Sequence, residues 1–414
     1  MLGTDAFLSL ARAQAAKKAM PHLPVALIAH PIGGVDPAIV RGKAEAIVDE
    51  VLTGLTRDPA PPPRRAAAVS TAVTEAPDDL DAFQVWAMDQ RWSDGLAVLP
   101  PTAGRVDRVL GARAARRHEV VATLAPLDGA ATLEAIAVNA ALAGAGPEHL
   151  PVIVAAVRAI ADPAFNLNAI QTTTHPCTPL LIVNGPIAGR LGISGGPNAL
   201  GNGHRANAVI GRAVRLVMQN VGGARPGLED RATLGHPGKF SYCLAENEAA
   251  SPWAPLHVER GFPAGTSTVT ACGSEAPHNV NDHGSTTPEG MLLALAGTAA
   301  TTGSNNVYLA GEPLVILGPE HARTLALTGW SKTEVKRRLW ELIRIRLDRF
   351  SAENLARFAT IDPARFADQP PGAQVRWCPT PDDLMILVAG GPGKHSSLVP
   401  TFGATRSVTV PIEA

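Results

Sequence analysis

The sequence predicts an α/β protein: a small N-terminal αβα segment, a helical middle layer, and a larger mixed α/β domain with Gly-rich loops. Three observations carry this expectation. Aliphatic runs at 180–183, 314–317 and 385–388 are each followed by a Gly-Pro step, Gly185-Pro186, Gly318-Pro319 and Gly391-Pro392, and then by residues of helical character. A buried strand delivering the chain to a helix start has this pattern, because proline at an early helical position lacks an NH that would be unpaired anyway. Residues 78–162 are Ala-rich with apolar residues at 133, 136, 137, 140 and 141, the spacing of one buried helical face. Finally, 39 glycines and 36 prolines with only 4% aromatic residues point to tight turns and sites built from backbone.

In chain order, residues 1–56 read as an Ala-rich helix, a strand at 23–29, a loop His30-Pro31-Ile32-Gly33-Gly34 and a helix at 36–55 opened by Asp36 and Pro37. Residues 57–77 form a linker whose prolines 59, 61, 62 and 63 favour extended backbone. The helical region 78–165 contains expected helices at 79–92, 103–110, 131–143 and 147–161, separated by Pro100-Pro101 and by Gly144 with Gly146. From 166 to 414 the texture changes to strands at 179–183, 240–245, 267–272, 313–317 and 383–388, with helices at 204–221, 288–301 and 331–347. Ser331 with Glu334 makes a capping box for the last helix, and the stretch 222–266 is long enough for a functional insertion.

Composition narrows the function. At 414 residues the chain is long enough for two or three domains. Lys+Arg 36 against Asp+Glu 37 gives a formal charge of −1, and no basic block suggests a nucleic-acid face. No run approaches the ~18 apolar residues of a membrane helix, and the N-terminus lacks a signal-peptide core, so a cytoplasmic location is expected. Cys177, Cys243, Cys272 and Cys378 have neither redox nor zinc spacing and read as free thiols. A small-molecule substrate and a homo- or hetero-oligomer are the expected partners; no cofactor fingerprint is present.

Four clusters carry candidate chemistry. Glu275 to Ser285 follows an expected strand and supplies Glu275, His278, Asn279, Asp282 and His283. His278 and His283 are acid or base candidates, with Glu275 orienting them, and His278, Asp282 and His283 are also the candidates for a divalent metal. The alternative is a loop held by Asn and Asp hydrogen bonds. The glycine loop 195–203 runs into His204, Arg205 and Asn207 at a helix start, suited to a carboxylate or phosphate. Gly390 to Ser397 places Lys394, His395 and Ser396 on a turn that can hold an anion. His175 and Cys177, two apart, share a face in extended chain and can form a base and thiol pair. Glu246, Asn247 and Glu248 offer a further carboxylate source, with Trp253 and His257 in a lid or contact loop.

The segment FLSLARAQAAKKAMPHLPVALIAHPIGG and the helix VRGKAEAIVDEVL resemble the closing part of the UGSC-like family, small αβ domains named after a selenocysteine-Gly-Ser-Cys motif. The most specific element is His30-Pro31-Ile32-Gly33-Gly34. The family's reactive selenocysteine or cysteine is expected upstream of this segment, and Cys272-Gly273-Ser274 echoes the motif only by coincidence of letters. The resemblance therefore implies a thiol- or redox-linked neighbourhood, with the reactive residue on a UGSC-like partner subunit. From the residues themselves, the expectation is an enzyme that cleaves a bond in a small polar or anionic molecule by acid–base chemistry, of hydrolase or lyase type. The alternatives are a subunit of a thiol- or selenol-dependent oxidoreductase complex and a non-catalytic binding or assembly subunit.

Overall fold

Alternating apolar side chains on short strands build two sheets that face one another. The computed structural model describes residues 1–18, 20–56 and 73–413. The proline stretch 58–65 lies outside them. In chain order the strands are β1 (Leu2–Thr4), β2 (Ala26–Ile28), β3 (Val120–Leu124), β4 (Gly129–Thr132), β5 (Thr178–Asn184), β6 (Cys243–Ala245) and β7 (Thr268–Ser274). They continue with β8 (His278–Asn281), β9 (Leu314–Leu317), β10 (Ile345–Arg346), β11 (Gln374–Val375), β12 (Met385–Val388), β13 (His395–Val399) and β14 (Val408–Pro411). The two principal sheets have the orders β6-β5-β7-β14 and β12-β9-β13-β8.

Side-chain alternation shows how the layers stack. On β5, Leu180 and Ile182 enter a core shared with Leu314 and Ile316 of β9 and Met385 and Leu387 of β12. The opposite residues of β5, Leu181 and Val183, pack with helices Leu133–Leu142, Leu150–Ala161 and Arg205–Asn220. On the second sheet Val315, Leu317, Ile386 and Val388 meet helices Pro288–Ala299 and Lys332–Leu342. The result is a four-layer αββα sandwich, in which strands buried on both faces read as unbroken aliphatic runs.

The sheets are copies in topology. In each, a central strand (β5 or β9) pairs with a parallel edge strand (β6 or β12) and an antiparallel one (β7 or β13). The register matches too: Val183 faces Ala245 and Val269, while Ile316 faces Leu387 and Ser397, each two residues before the Gly-Pro step. The fourth strand is exchanged. β8 follows β7 in the chain but pairs with β13, and β14 follows β13 but pairs with β7. Where the two halves cross, Ser274 bridges Thr401 and Glu275 N donates to Pro400 O at 2.8 Å.

Local expectations meet the structure unevenly. Gly185-Pro186 and Gly318-Pro319 do open helices, and Ser331 with Glu334 forms the capping box on both sides. Gly391-Pro392 instead turns the chain back into β13, so that expected helix is a β-turn. β8 and β13 are strands where a loop and a turn were expected, since H-N-V-N and H-S-S-L-V become extended only by pairing. Within the helical region, β3 and β4 form a hairpin that the Ala-rich sequence conceals. The expected helix at 331–347 stops at Leu342, and 36–55 divides into Pro37–Glu45 and Val48–Thr56.

The N-terminal segment has its own two-stranded parallel sheet, β1 with β2, one strand more than expected. It docks on the sandwich by few contacts: Ser9 Oγ donates to Leu228 O, Gln14 to Asn168, and the Arg231 guanidinium lies 5.5 Å from the Phe7 ring centroid. No described residue before Phe83 belongs to any of the three core clusters. Among the described residues no single helix is long and apolar enough to cross a membrane. The apolar pair Pro147–Ala161 and Pro163–Thr172, bent by 68°, packs in the first sheet's outer core.

Removal of residues 1–72 is accordingly expected to leave a cooperative unfolding transition and native circular dichroism. Loss of the transition would show that the sandwich depends on this segment. The isolated segment is too small to bury a core of its own and is expected to remain largely unfolded.

Candidate functional site

The register of β5 against β7 ends on Thr178 opposite Ser274, and this brings the residues before one strand beside those after the other. His175 Nε2 lies 2.7 Å from Glu275 Oε1, across 100 positions of sequence. The ring stacks on Phe402 at 5.5 Å between centroids and 26° between planes. With Nε2–H donated to the carboxylate, Nδ1 keeps its lone pair, and that atom is buried without a hydrogen-bond partner among the described residues. A carboxylate that fixes one imidazole nitrogen and leaves the other as a base is the arrangement used in acid–base catalysis.

Glu275 thus orients an imidazole as expected, but the imidazole is that of His175 instead of His278 or His283. Cys177 N donates to His175 O at 2.9 Å, a backbone bond, and the thiol makes no hydrogen bond to the imidazole, so the expected base and thiol pair does not form. Burial pushes its thiol up to about 12, as it does for Cys243 and Cys272, and burial also raises Cys378. None of the four thiols is a thiolate near neutral pH.

The long segment after helix Arg205–Asn220 builds the next part. A cavity of about 200 Å³ lies between that helix and residues 226–240, with Arg215, Gln219, Asp230, Leu234, Lys239 and Phe240 in its wall. Arg215 Nη2 and Lys239 Nζ both reach Asp230 Oδ2, at 2.8 and 2.7 Å, so two cations share one carboxylate. Burial alone would raise the Asp230 carboxyl, but Lys239 and Arg215 hold it below its ordinary range. Lys239 is depressed by burial against the pull of Asp230. Asp94, also in the wall, is held in a two-bond pair by Arg212 at 2.9 Å.

His236 links cavity and dyad. Its Nδ1 accepts Gly238 N at 3.1 Å, which leaves Nε2 as a buried N–H on the side of the Ser274 backbone. Burial depresses this imidazole, a hydrogen bond to the Ser274 backbone opposes that, and the charges of Lys239, Glu275 and His175 act on it more weakly. In the same loop Glu229 Oε2 and the Nε atoms of Arg225 and Arg231 are buried without hydrogen-bond partners among the described residues. Each such group costs roughly 1–3 kcal/mol unless something hydrogen-bonds to it.

The other expected clusters meet one another. The turn 390–397 touches the glycine loop through Gly390 N to Gly195 O (2.8 Å) and touches 275–285 along the β8–β13 ladder. The side chains differ in use. His204 binds Pro197 O, Arg205 reaches away to Gly144 O, and Asn207 is buried between Ser194 and Ala199, so these three hold their own loop. Ser396 is buried, accepting Gly318 N at 3.0 Å and donating to His321 Nδ1 at 2.7 Å, which secures the second Gly-Pro helix start. Asp282 Oδ1 caps the turn through Gly284 N and Ser285 N, and Lys394 Nζ donates to His283 O. His278 is exposed on β8, while Asn279 hydrogen-bonds His395. His278, Asp282 and His283 do not form a metal centre: among the described residues no group of three or more His, Cys, Asp or Glu side chains is placed to hold an ion.

A second buried polar group stands at the C-terminal ends of β5 and β6. Asn184 Nδ2 donates to Glu246 Oε2 (2.7 Å) and Glu248 Oε1 (3.0 Å), and Gly185 N donates to Glu248 Oε1 (2.7 Å). Gly185 has φ +82°, and a Cβ there would fall 2.4 Å from Thr266 O, so only glycine fits. Burial raises the Glu246 carboxyl, against Lys332 and its hydrogen bonds.

Residues 1–57 match the model of the UGSC family. No curated protein and no solved structure matches the chain.

Arg215, Asp230, His236, Lys239 and His321 escaped the sequence reading. One signal was available: Arg215 lies between Val214 and Leu216 in a helix whose residues 213–219 are all buried, where an unpaired charge would be prohibitive. Asp230→Asn strands Arg215 and Lys239 without their shared carboxylate and is expected to lower stability by about 3–5 kcal/mol in urea unfolding at neutral pH. For Glu246, whose carboxyl is raised above 4.5, the unfolded chain releases its proton first as pH rises. The folded state then loses stability with rising pH until Glu246 itself ionises, and the loss levels off above that point. Glu246→Gln should remove this contribution, seen as a flatter melting temperature against pH than in the parent.

Proposed function

We propose that the protein is an enzyme that breaks a bond in a small anionic molecule by acid–base chemistry, of hydrolase or lyase type. The observation that carries this reading is the His175–Glu275 pair, with His175 Nδ1 buried and unpartnered. In the proposed reaction His175 Nδ1 takes a proton from the substrate or from an attacking water. Glu275 stabilises the imidazolium that results and holds the ring against rotation. The proton returns to the leaving group from the same nitrogen.

Arg215 and Lys239, which share Asp230, supply the anion seat at the cavity wall, where the other lining carboxylate, Asp94, is paired by Arg212. His236, buried and within the fields of Lys239, Glu275 and His175, is a donor for negative charge developing between seat and dyad. Buried thiols with raised pKa values do not support a nucleophilic cysteine in this chain. The alternative of a redox complex therefore rests on residues 1–57 and on a partner.

The test begins with a panel of small carboxylates and phosphates screened by thermal shift, then mass spectrometry of the stabilising compounds after incubation with the protein. Binding anions are expected to raise the melting temperature of the parent and not that of Lys239→Ala. His175→Ala should keep the thermal shift and lose turnover by ~10²- to 10⁴-fold, the usual contribution of a general base. Stabilisation by cations instead of anions, or full turnover in a folded His175→Ala protein, would sink the proposal.

A further inference from the structure

The end of the β8–β13 ladder far from Glu275 carries two imidazoles that face each other. The ladder pairs His395 with Asn281, and the chain leaving β8 then folds His283 back over the same edge. His283 Nε2 and His395 Nε2 lie 3.4 Å apart, with ring planes at 78° and centroids 5.2 Å apart. Both rings are exposed.

The separation is informative. It lies at the far limit for a hydrogen bond between ring nitrogens, whose usual donor–acceptor distance is about 2.9–3.0 Å. It coincides with the bite of a tetrahedral metal: two M–N bonds of ~2.0–2.1 Å at the tetrahedral angle place the nitrogens about 3.3–3.4 Å apart. The tautomer is suited as well. His395 Nδ1 is 3.0 Å from Asn279 Oδ1, and an Nδ1–H donated to that amide oxygen leaves Nε2 as a lone pair pointing at His283. A metal-binding histidine is commonly fixed by such a hydrogen bond from its other nitrogen.

The surroundings suit a divalent ion. Lys394 spends its ammonium on His283 O, and the neighbouring Asp282 carboxylate accepts Gly284 N and Ser285 N. His321, on the buried side, is committed to Ser396 and Asp282 O and does not compete.

We propose that His283 and His395 form a two-imidazole site for a divalent transition-metal ion of the Zn²⁺ class, with its remaining positions open to water or a solvent-borne ligand. Imidazole nitrogen suits Zn²⁺, Ni²⁺ and Cu²⁺ and disfavours Mg²⁺ and Ca²⁺. The site lies at the opposite end of β8 from the His175–Glu275 pair, so it stands or falls independently of the proposed reaction.

The test is calorimetric titration of tag-free full-length protein with ZnCl₂, repeated with MgCl₂. One Zn²⁺ per chain and no Mg²⁺ binding are expected. His283→Ala and His395→Ala, both exposed and without core contacts, should each abolish the Zn²⁺ signal while melting like the parent. Asn279→Ala, which releases the His395 ring, should weaken binding ~10–100-fold, and His278→Ala should leave it unchanged. Absence of Zn²⁺ binding in the parent, or undiminished affinity in the His283→Ala/His395→Ala double variant, would overturn the site and leave a hydrogen-bonded histidine pair.

Discussion

The contact between the two sheets is the constraint on which the rest of the structure depends. Leu180 and Ile182 on one side and Leu314, Ile316, Met385 and Leu387 on the other can bury their inward faces only against each other. Outward faces of the same strands are already committed to helices. Exchange of β8 and β14 makes this contact obligatory, because each sheet takes its fourth strand from the other half of the chain. Two topologically equivalent halves are thereby tied into one folding unit, although each has its own outer core.

Polar chemistry gathers where the repeated pattern is broken. At the crossing of the halves, the ladder ends at Thr178 and Ser274 and frees His175 and Glu275 to meet. Beyond it, residues 222–242 replace a simple return with a loop that buries Asp230 beneath Arg215 and Lys239. Where the pattern is kept, polar residues serve structure: Ser396 and His321 hold the helix start at Gly318, and the matching step at Gly185 is held by Glu248. The first copy thus uses a half-buried carboxylate where the second uses a hydroxyl and an imidazole.

Residues 1–57 stand apart energetically from this arrangement. Helices Pro37–Glu45 and Val48–Thr56 have no buried residues, and the segment shares no core cluster with the sandwich. It nevertheless rests on Leu228 and Arg231, in the same loop that walls the cavity. The UGSC-matching segment is therefore adjacent to the proposed anion seat without supplying any of its side chains.

The sequence by itself determined those features whose energetics are local. The aliphatic runs of β5, β9 and β12 are legible because strands buried on both faces must be apolar throughout. Two of the three Gly-Pro helix starts and the Ser331–Glu334 cap are legible because capping spans only a few residues. Polar β8 and β13 were not legible, since their extended form comes from pairing with each other and with β9. The grouping of site residues was settled by register alone. Glu275 was recognisable as a carboxylate placed to orient a base, but its partner is 100 positions away, and only the seven-residue pairing of β5 with β7 selects His175 over the nearer His278 and His283.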